Sequence, residues 1–427
     1  MRHARLIVVI IVLSIGSTAA YGTGFQVHAQ GARAMGMGLA FTAVSDDASG
    51  VYYNPAGLVW EKTRFDVVAG AMLARNIDAT FRGAAPFPGA GVTEEERKGN
   101  NVLPELYGRF GSGRTRFAIG AYTPFGLPIT WDNPNTFTGR FVSQRSLLRT
   151  VNINPTVAFR VSNSLSIGVG ADYMYSKLGL ERSTLGPAGT PLAGREIAHL
   201  KLSTKQFDSH GWGWNAGLQW RPAPEGISFG VAYRSGISID HKGTATFTQI
   251  LTGIPPIDAA VAANPLIGEH AASAKIRYPS TLNAGLAYSF GTYAQIAVEA
   301  DQTRWKSFDE LAIVIPGVSS TPIPTAWHNS WAYRVGGEIQ CGPLVCRAGY
   351  YRDQTPQPVA DIGPILPDAD RRGYSLGIGI QRGRLGIDIG DVYIRFKDRS
   401  TAAANTYSYF GSYHTTANEF AVNVHWR

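Results

Sequence analysis

The chain has 427 residues, and its composition departs from that of soluble proteins. Charged residues make up only 16% of it, against about 25% in a typical soluble domain. Glycine (49) and aromatic residues (9 Trp, 19 Tyr, 19 Phe) are abundant. The hydrophobic fraction of 44% excludes intrinsic disorder, and the mean hydropathy of −0.07 excludes a bundle of membrane-spanning helices. The formal net charge of +8 is dispersed, which predicts a weak preference for anionic surfaces and no nucleic-acid partner.

An export signal is predicted at the N-terminus. Arg2 and Arg5 precede an apolar run at residues 6–15 and small residues at 16–20, which is the three-part pattern of a secretory signal peptide. Residues 1–20 are therefore predicted to be this signal, with cleavage after Ala20. A signal anchor is the alternative, and it is disfavoured because the apolar run is too short to span a bilayer.

Hydrophobic residues alternate with small or polar ones through most of the chain, for example at 165–175, 374–381 and 420–426. This period of two is typical of β-strands that present two different faces. Short connections take turns with long, polar, proline-rich ones, and about fourteen strands lie between them. The phase of the alternation shifts at Gly390-Asp391, which predicts a bulge.

This pattern predicts an all-β fold: a transmembrane antiparallel β-barrel of about fourteen strands at residues 61–427, in the bacterial outer membrane. A large soluble sandwich or propeller is the alternative. Trp and Tyr at strand ends favour the barrel, because aromatic residues concentrate at membrane interfaces. Residues 21–60 do not alternate and are rich in Gly and Ala. Because the lumen of such a barrel is too wide for its own side chains to fill, these residues are predicted to form a plug, or hatch, inside it.

Several short motifs are characteristic enough to compare with a known family. They are Gly24-Phe25-Gln26, Ser45-Asp46-Asp47-Ala48, Asn54-Pro55-Ala56 and the stretches at 197–200, 211–217, 233–235, 239–243 and 366–371. Taken together and in order, they resemble the FadL/TodX family of outer-membrane channels for hydrophobic compounds. The resemblance covers residues 24 to about 395.

The resemblance implies passive uptake of long-chain fatty acids, with lateral release into the membrane through a kink in the third strand. Uptake of aromatic or aliphatic hydrocarbons by the same fold is the alternative, and a barrel enzyme or a general porin is the outside possibility. The implied partners are a hydrophobic small molecule, outer-membrane lipid or lipopolysaccharide, and the barrel-assembly machinery. The protein is expected to act as a monomer without cofactors.

The candidate site residues are inferred partly from local residue chemistry and partly from the family resemblance. Pro124 lacks a backbone donor and Gly126 permits unusual backbone, so a break in strand pairing is expected there; an ordinary strand end is the alternative. The resemblance implies that Arg182 binds a carboxylate, although Arg182 could instead pair with Glu181 or lie exposed at the rim, and no second basic partner is found near residues 327–330. The predicted substrate-binding residues are Phe25 and Arg182, and the predicted hatch and lateral gate comprise Asn54, Pro55, Ala56, Thr123, Pro124 and Gly126.

The gate prediction is specific about one contact. The side-chain amide of Asn54 can both donate and accept, which suits bonding to the backbone groups that the kink leaves unpaired. Asn54-Pro55-Ala56 and the kink at 123–126 are therefore expected to work together, with substrate breaking the bonds between them.

Two cysteines, Cys341 and Cys346, flank residues 342–345. If those four residues form a hairpin turn, the two Cβ atoms face each other across it. Because an exported chain meets an oxidising compartment, a disulfide is one prediction, and two free thiols beside a turn are the other. No metal site is predicted, because no further ligands lie nearby.

Enzymatic activity is not predicted. Asp208, Ser209 and His210 include the residue types of a catalytic triad, but alternation on a strand turns Ser209 away from the other two. The sequence at 368–373 resembles a calcium-binding loop, yet Arg372 occupies a position that requires an oxygen ligand.

Overall fold

The structure, a computed structural model, describes residues 24–61, 63–186, 189–190, 192–204, 209–317, 323–401 and 405–427. The predicted signal peptide at 1–20 lies outside the described residues. Helices are few and short: α1 (Ala32–Gly36), α2 (Gly50–Tyr53) and α3 (Pro255–Ala262), with 3-10 turns at Pro55–Val59, Thr138–Phe141, Trp305–Ser307 and Val359–Asp361. Within these ranges, no helix has the length and apolarity needed to cross a membrane.

Strands make up most of the chain. They are β1 (Phe65–Gly83), β2 (Thr93–Glu95), β3 (Asn101–Phe110), β4 (Thr115–Tyr122), β5 (Gly126–Thr130), β6 (Arg145–Arg160), β7 (Leu165–Leu185), β8 (Glu196–Thr204), β9 (Ser209–Trp220), β10 (Gly226–Arg234), β11 (Ile237–Gln249), β12 (Gly268–Tyr278), β13 (Thr281–Phe290), β14 (Ala294–Thr303), β15 (Glu310–Val314), β16 (Ile323–Pro324), β17 (Ser330–Cys341), β18 (Leu344–Asp353), β19 (Arg371–Arg382), β20 (Leu385–Phe396), β21 (Arg399–Ser400) and β22 (Gly411–Trp426).

The strands close into an antiparallel barrel, because β1 pairs with β22 as well as with β3. Ten spanning strands are continuous, and four consist of two pieces each: β4 with β5, β8 with β9, β10 with β11 and β12 with β13. The barrel therefore has fourteen strands, which confirms the predicted fold class. The remaining strands β2, β15, β16 and β21 lie in the long connections.

The two faces of the wall differ as the alternation predicts. On β19 the exposed positions include Tyr374, Leu376, Ile378 and Ile380, whereas Ser375 between them and Arg371 at the start of the strand are buried. A membrane accepts the apolar outer face, and the polar inner face lines the lumen.

The bulge predicted at Gly390-Asp391 is wrong. The register of β20 with both β19 and β22 is continuous through these residues. Asp391 occupies an outward position as the alternation requires, and it pairs there with Arg75 at 2.8 Å. The polar residue is thus neutralised in place, and the register shift lies instead in β1, between Arg75 and Asp78.

Residues 24–60, the N-terminal segment, lie inside the ring of strands. The segment bonds to strands all around the ring: Ala48 N to Asp66 of β1 (3.0 Å), Asn54 Nδ2 to Leu218 O of β9 (3.2 Å), Thr42 N to Glu299 of β14 (2.7 Å) and Gly38 N to Ser375 of β19 (2.9 Å). Glycines on the inner face allow this close approach: a Cβ at Gly230 or Gly349 would overlap the backbone of Thr42 or Gly38.

Candidate functional site

An apolar, partly open cavity lies between the N-terminal segment, the wall and the long connections. Its predominantly apolar lining suits a hydrophobic ligand. Phe25 contributes from the N-terminal segment, and leucines of β6, β7 and β8 form much of the wall. The lining residues are Phe25, Ser146, Leu147, Leu148, Leu178, Gly179, Leu180, Leu202, Ile276, Phe308, Leu311, Ile313, Thr325, Trp327, Gln357, Asp361, Ile365, Leu366 and Tyr407.

Phe25 sits at the centre of an aromatic cluster on one side of this cavity. Its side chain is 3% exposed. Ring centroids lie 4.6 Å away at Trp305, 5.2 Å at Phe308, 5.9 Å at Trp327 and 6.0 Å at Phe125. Such edge-to-face contacts hold the ring in a defined position. Phe25 thus joins the apolar cavity to Phe125, which lies in the break of the third strand.

Four polar side chains of the cavity already have partners, whereas the buried indole Nε1 of Trp327 has none among the described residues. Ser146 bonds to Ser143, Thr325 donates to Phe308 O, Gln357 donates to Asp361 O and Leu366 O, and Asp361 accepts from Ala326 N. The cavity wall itself therefore offers a ligand mainly apolar contact.

Arg182 lies on the inward face of β7, two residues beyond the cavity-lining Leu180. Its Nε is buried without a hydrogen-bond partner. The alternative pairing with Glu181 is wrong, because Glu181 faces Arg145 (3.6 Å) and Lys201 (3.8 Å). In the described part of the chain no carboxylate pairs with Arg182, so a guanidinium at the rim of the cavity keeps donor capacity for a ligand.

The wall is interrupted at residues 123–125, between β4 and β5. β4 pairs with β3 only at Leu106–Phe110, and β5 pairs with β6 on its other side. Between the described strands β3 and β5 no ladder forms, although β3 begins at Asn101. Pro124 lies in the interruption and Gly126 begins β5 directly after it, so the strand resumes beyond the break instead of ending.

The backbone of this break bonds to the start of the N-terminal segment. Val27 N donates to Pro124 O (2.8 Å), Gly126 N donates to Phe25 O (2.9 Å) and the Gln30 amide donates to Thr123 O (2.8 Å). Phe125 N donates to the Thr150 hydroxyl of β6 (3.0 Å). A short antiparallel contact with residues 25–30 therefore replaces the missing ladder.

The predicted contact between Asn54 and the break is wrong. The Asn54 amide donates to Thr42 O (2.9 Å) and Leu218 O, and its oxygen accepts from Ala56 N. Asn54 and Pro55 rest on Gly217 and Gly168, where any Cβ would overlap them. Gly168 pairs with Ala158 of β6, whereas the break bonds at Thr150. These points are eight residues, or roughly 26 Å, apart along the strand, too far for one side chain to bridge.

Pro55 and Pro124 nevertheless line the same second cavity. This cavity is more polar than the first, since Asp172, Arg234 and Asn152 contribute to it. Arg234 forms an ion pair with Asp172 there. Apolar ligands are thus favoured in the first cavity over the second.

A charged cluster holds the N-terminal segment at the end of the barrel that has short turns. Arg33 pairs with Asp46 (2.6 Å) and with Glu338 of β17 (2.6 Å). Burial alone would lower the pKa of Arg33, but Asp46 and Glu338 hold this pKa well above its usual value. Burial likewise would raise the pKa of Asp47, and the Arg33 charge keeps it below the usual value. Both groups stay ionised, so the anchor persists at neutral pH.

The cysteines lie in a tighter hairpin than predicted. Cys341 is opposite Leu344, and Cys346 is opposite Ile339, because the turn contains two residues instead of four. The two cysteines are therefore diagonal neighbours, and both are free thiols in the structure. A disulfide between them stays a prediction.

The triad residue types do not form a catalytic arrangement. Ser209 is buried on the inward face of β9, and His210 is exposed on the outward face. Asp208 lies outside the described residues. The alternation of the strand separates the two described side chains, as expected.

Sequence reasoning missed Gln30 and Thr150, which hold the break. Gln30 is a buried amide in a stretch of small residues, and that contrast is the signal that could have identified it. Thr150 precedes an alternating stretch and carries no local signal of its own.

Comparison with known proteins identifies the family. The profile of the family described as outer membrane protein transport protein (OMPP1/FadL/TodX) matches residues 13–427. The chain belongs to this family. It is therefore a protein of the bacterial outer membrane, and its family is one of transport channels and not of enzymes.

Relatives and solved structures agree with this assignment. The chain is 25% identical over 437 residues to the long-chain fatty acid transport protein of Escherichia coli O6:H1 (strain CFT073), and the match covers 93% of each. It is similar in fold to a Pseudomonas aeruginosa FadL homologue (TM-score 0.81, 21% identity, 94% of this chain and 99% of that one). The toluene transporter TodX of Pseudomonas putida gives a TM-score of 0.75 at 17% identity, with 94% and 99% covered.

Proposed function

We propose that this protein takes up long-chain fatty acids passively across the outer membrane and releases them sideways into it. The observation that carries this proposal is an apolar cavity with the guanidinium of Arg182 just beyond its wall, whose buried Nε has no hydrogen-bond partner in the described part of the chain. A fatty acid has the same two parts, a long apolar chain and one carboxylate. The relatives named long-chain fatty acid transport proteins support this choice of substrate.

Capture depends on keeping the alkyl chain out of water. Burial of apolar surface contributes roughly 0.8 kcal/mol per methylene, so the leucine-rich wall supplies most of the affinity. The carboxylate stays at the rim, where Arg182 donates two parallel hydrogen bonds to it. The carboxylate therefore orients the ligand, and the cavity determines its length.

Release requires a route that never exposes the chain to water. In our proposal the N-terminal segment is the hatch, and the missing ladder between β3 and β5 is the lateral exit. A ligand that displaces Phe25 also displaces Val27 and Gln30, whose bonds hold the break at residues 123–126. Each such bond contributes only about 1 kcal/mol net, so ligand binding alone can shift the segment without an energy source.

Replacing Arg182 tests the fatty-acid assignment. Arg182→Leu should weaken the apparent affinity for oleate roughly tenfold or more, because hydrogen bonds to charged groups contribute roughly 1.5–3 kcal/mol. Arg182→Lys keeps the charge and should retain part of the affinity. Uptake of labelled oleate by a strain lacking its own transporter is measured, with Arg145→Gln as the matched control on the outward face.

Uptake of hydrocarbons is the second candidate, and the nearly apolar wall of the cavity favours it. A neutral hydrocarbon makes no use of Arg182. Two results together would favour the hydrocarbon: normal oleate uptake by Arg182→Leu, and equal growth on toluene of strains that carry Arg182→Leu or the unaltered protein. The fatty-acid assignment would then be wrong, and the hydrocarbon assignment would stand.

A further inference from the structure

Three arginines form a row across three neighbouring strands on the outer face of the barrel. Arg352 of β18 lies opposite Arg372 of β19, which in turn lies opposite Arg395 of β20. All three are exposed on the face that carries the outward apolar residues. Directly opposite residues have Cβ atoms roughly 5 Å apart, so this arginine row places three guanidinium groups side by side.

The arginine row lies at the edge of the apolar belt. One step below it is a row of tyrosines, Tyr350, Tyr374 and Tyr393, in the same register. Ten residues separate Leu385, beside the short turn, from Arg395. At about 3.3 Å per residue and a tilt of roughly 40°, this distance is a height of about 25 Å, the thickness of the apolar band of a barrel. The arginine row is therefore at the level of lipid headgroups.

Within the described part of the chain, no carboxylate forms an ion pair with the arginine row. Opposite-charge partners accompany other outward cations: Glu181 lies between Arg145 and Lys201, and Asp240 faces Lys275. Among the described residues, no ion pair involves any member of the arginine row. Like charges directly opposite one another destabilise a sheet, so this arrangement calls for an external anion.

The surroundings of the arginine row add two more cations, Arg371 and Lys397, and two carboxylates that already have partners; Arg371 itself pairs with Asp368. Lys397 lines the same surface depression, together with Asp370 and Asp398. Asp370 accepts a hydrogen bond from Thr355 N (2.9 Å), and Asp398 pairs with His414 (2.7 Å). The depression thus keeps a net positive charge.

We propose that the arginine row binds the phosphate group of a phosphorylated glycolipid in the outer leaflet. The guanidinium fork matches phosphate oxygens in pairs, and a phosphate between two neighbouring arginines removes their repulsion. The apolar residues Leu376 and Ile389 lie below the row on the same face, where the acyl chains of the lipid pack. This position favours a lipid headgroup over free phosphate, since free phosphate gains nothing from the apolar belt.

Native mass spectrometry of the full-length barrel in detergent tests this site, with bisphosphorylated lipid A as the probe. The variant Arg352→Gln/Arg372→Gln/Arg395→Gln should bind roughly a hundredfold more weakly, because each charge near a membrane surface contributes roughly a factor of five. The matched control, Arg145→Gln/Lys201→Gln/Lys275→Gln, also removes three outward cations and should bind within about twofold of the unaltered protein. Heat-modifiable gel migration verifies that both variants are folded, and Arg372→Gln alone provides a milder variant.

Several results would overturn the proposal. They are unchanged binding by the arginine variants, an equal loss in the control, or equal binding of lipid A stripped of its phosphates. Displacement of the lipid by an equimolar amount of inorganic phosphate would identify a free-phosphate site and reject the lipid headgroup.

Discussion

Phe25 belongs to two parts of the molecule at once. Its ring lines the apolar cavity and contacts Trp305 and Phe308, and it also contacts Phe125 in the strand break. Its carbonyl oxygen accepts the hydrogen bond from Gly126 N. In the proposed mechanism, a ligand that moves this one side chain therefore pulls on the hydrogen bond between Phe25 O and Gly126 N, which holds the break.

Truncating Phe25 should weaken ligand binding and loosen the break. Phe25→Ala removes ring contacts that contribute about 1.4 kcal/mol, so the apparent affinity for oleate should fall about tenfold. Phe25→Leu keeps apolar volume and should lose less. Titration of each purified variant with a fluorescent fatty acid measures its affinity. Equal affinities of Phe25→Ala and the unaltered protein would contradict the role of the ring.

The strand break illustrates how far a sequence predicts a site. Pro124 and Gly126 predicted the interruption of the third strand, because one lacks a donor and the other permits unusual backbone. The partner of the break could not be found in this way. Asn54 had suitable chemistry, but Gln30 occupies the position, since packing inside the lumen decides which residue of the N-terminal segment reaches Thr123. The closed barrel was likewise predicted from alternation along single strands, because alternation is a local property of the sequence. Contacts across the lumen join residues far apart in the sequence, so no local pattern predicts them.

Locking the N-terminal segment to the break should stop uptake reversibly. A Cβ on Gly126 would lie 3.7 Å from Val27 Cγ2, which suits a disulfide in Val27→Cys/Gly126→Cys. The native Cys341 and Cys346 are first replaced by Ser. Oleate uptake should be lost under oxidising conditions and return with dithiothreitol, while each single cysteine variant transports in both. Uptake that continues in the fully cross-linked protein would rule out release through this break.

At the scale of the whole molecule, we propose that the N-terminal segment decides whether the barrel is a selective channel or an open pore. Its buried residues bond to strands on every side of the ring, and Arg33 fastens it to Glu338. A fourteen-stranded ring without this filling leaves a lumen that its own side chains cannot occupy. In this proposal, selectivity for apolar ligands depends on the segment as much as on the wall.

Deleting residues 24–60 should therefore convert the protein into an ion-conducting pore. Ladder hydrogen bonds between neighbouring strands close the wall independently of the segment, so the shortened barrel should still assemble and show heat-modifiable migration. Planar-bilayer recordings should give a large, ohmic conductance for it and a much smaller one for the full-length protein, because water and ions gain a continuous path only when the lumen is empty. A full-length protein that conducts as strongly as the deletion variant would instead support a general porin, since the filled lumen would then present no barrier to ions.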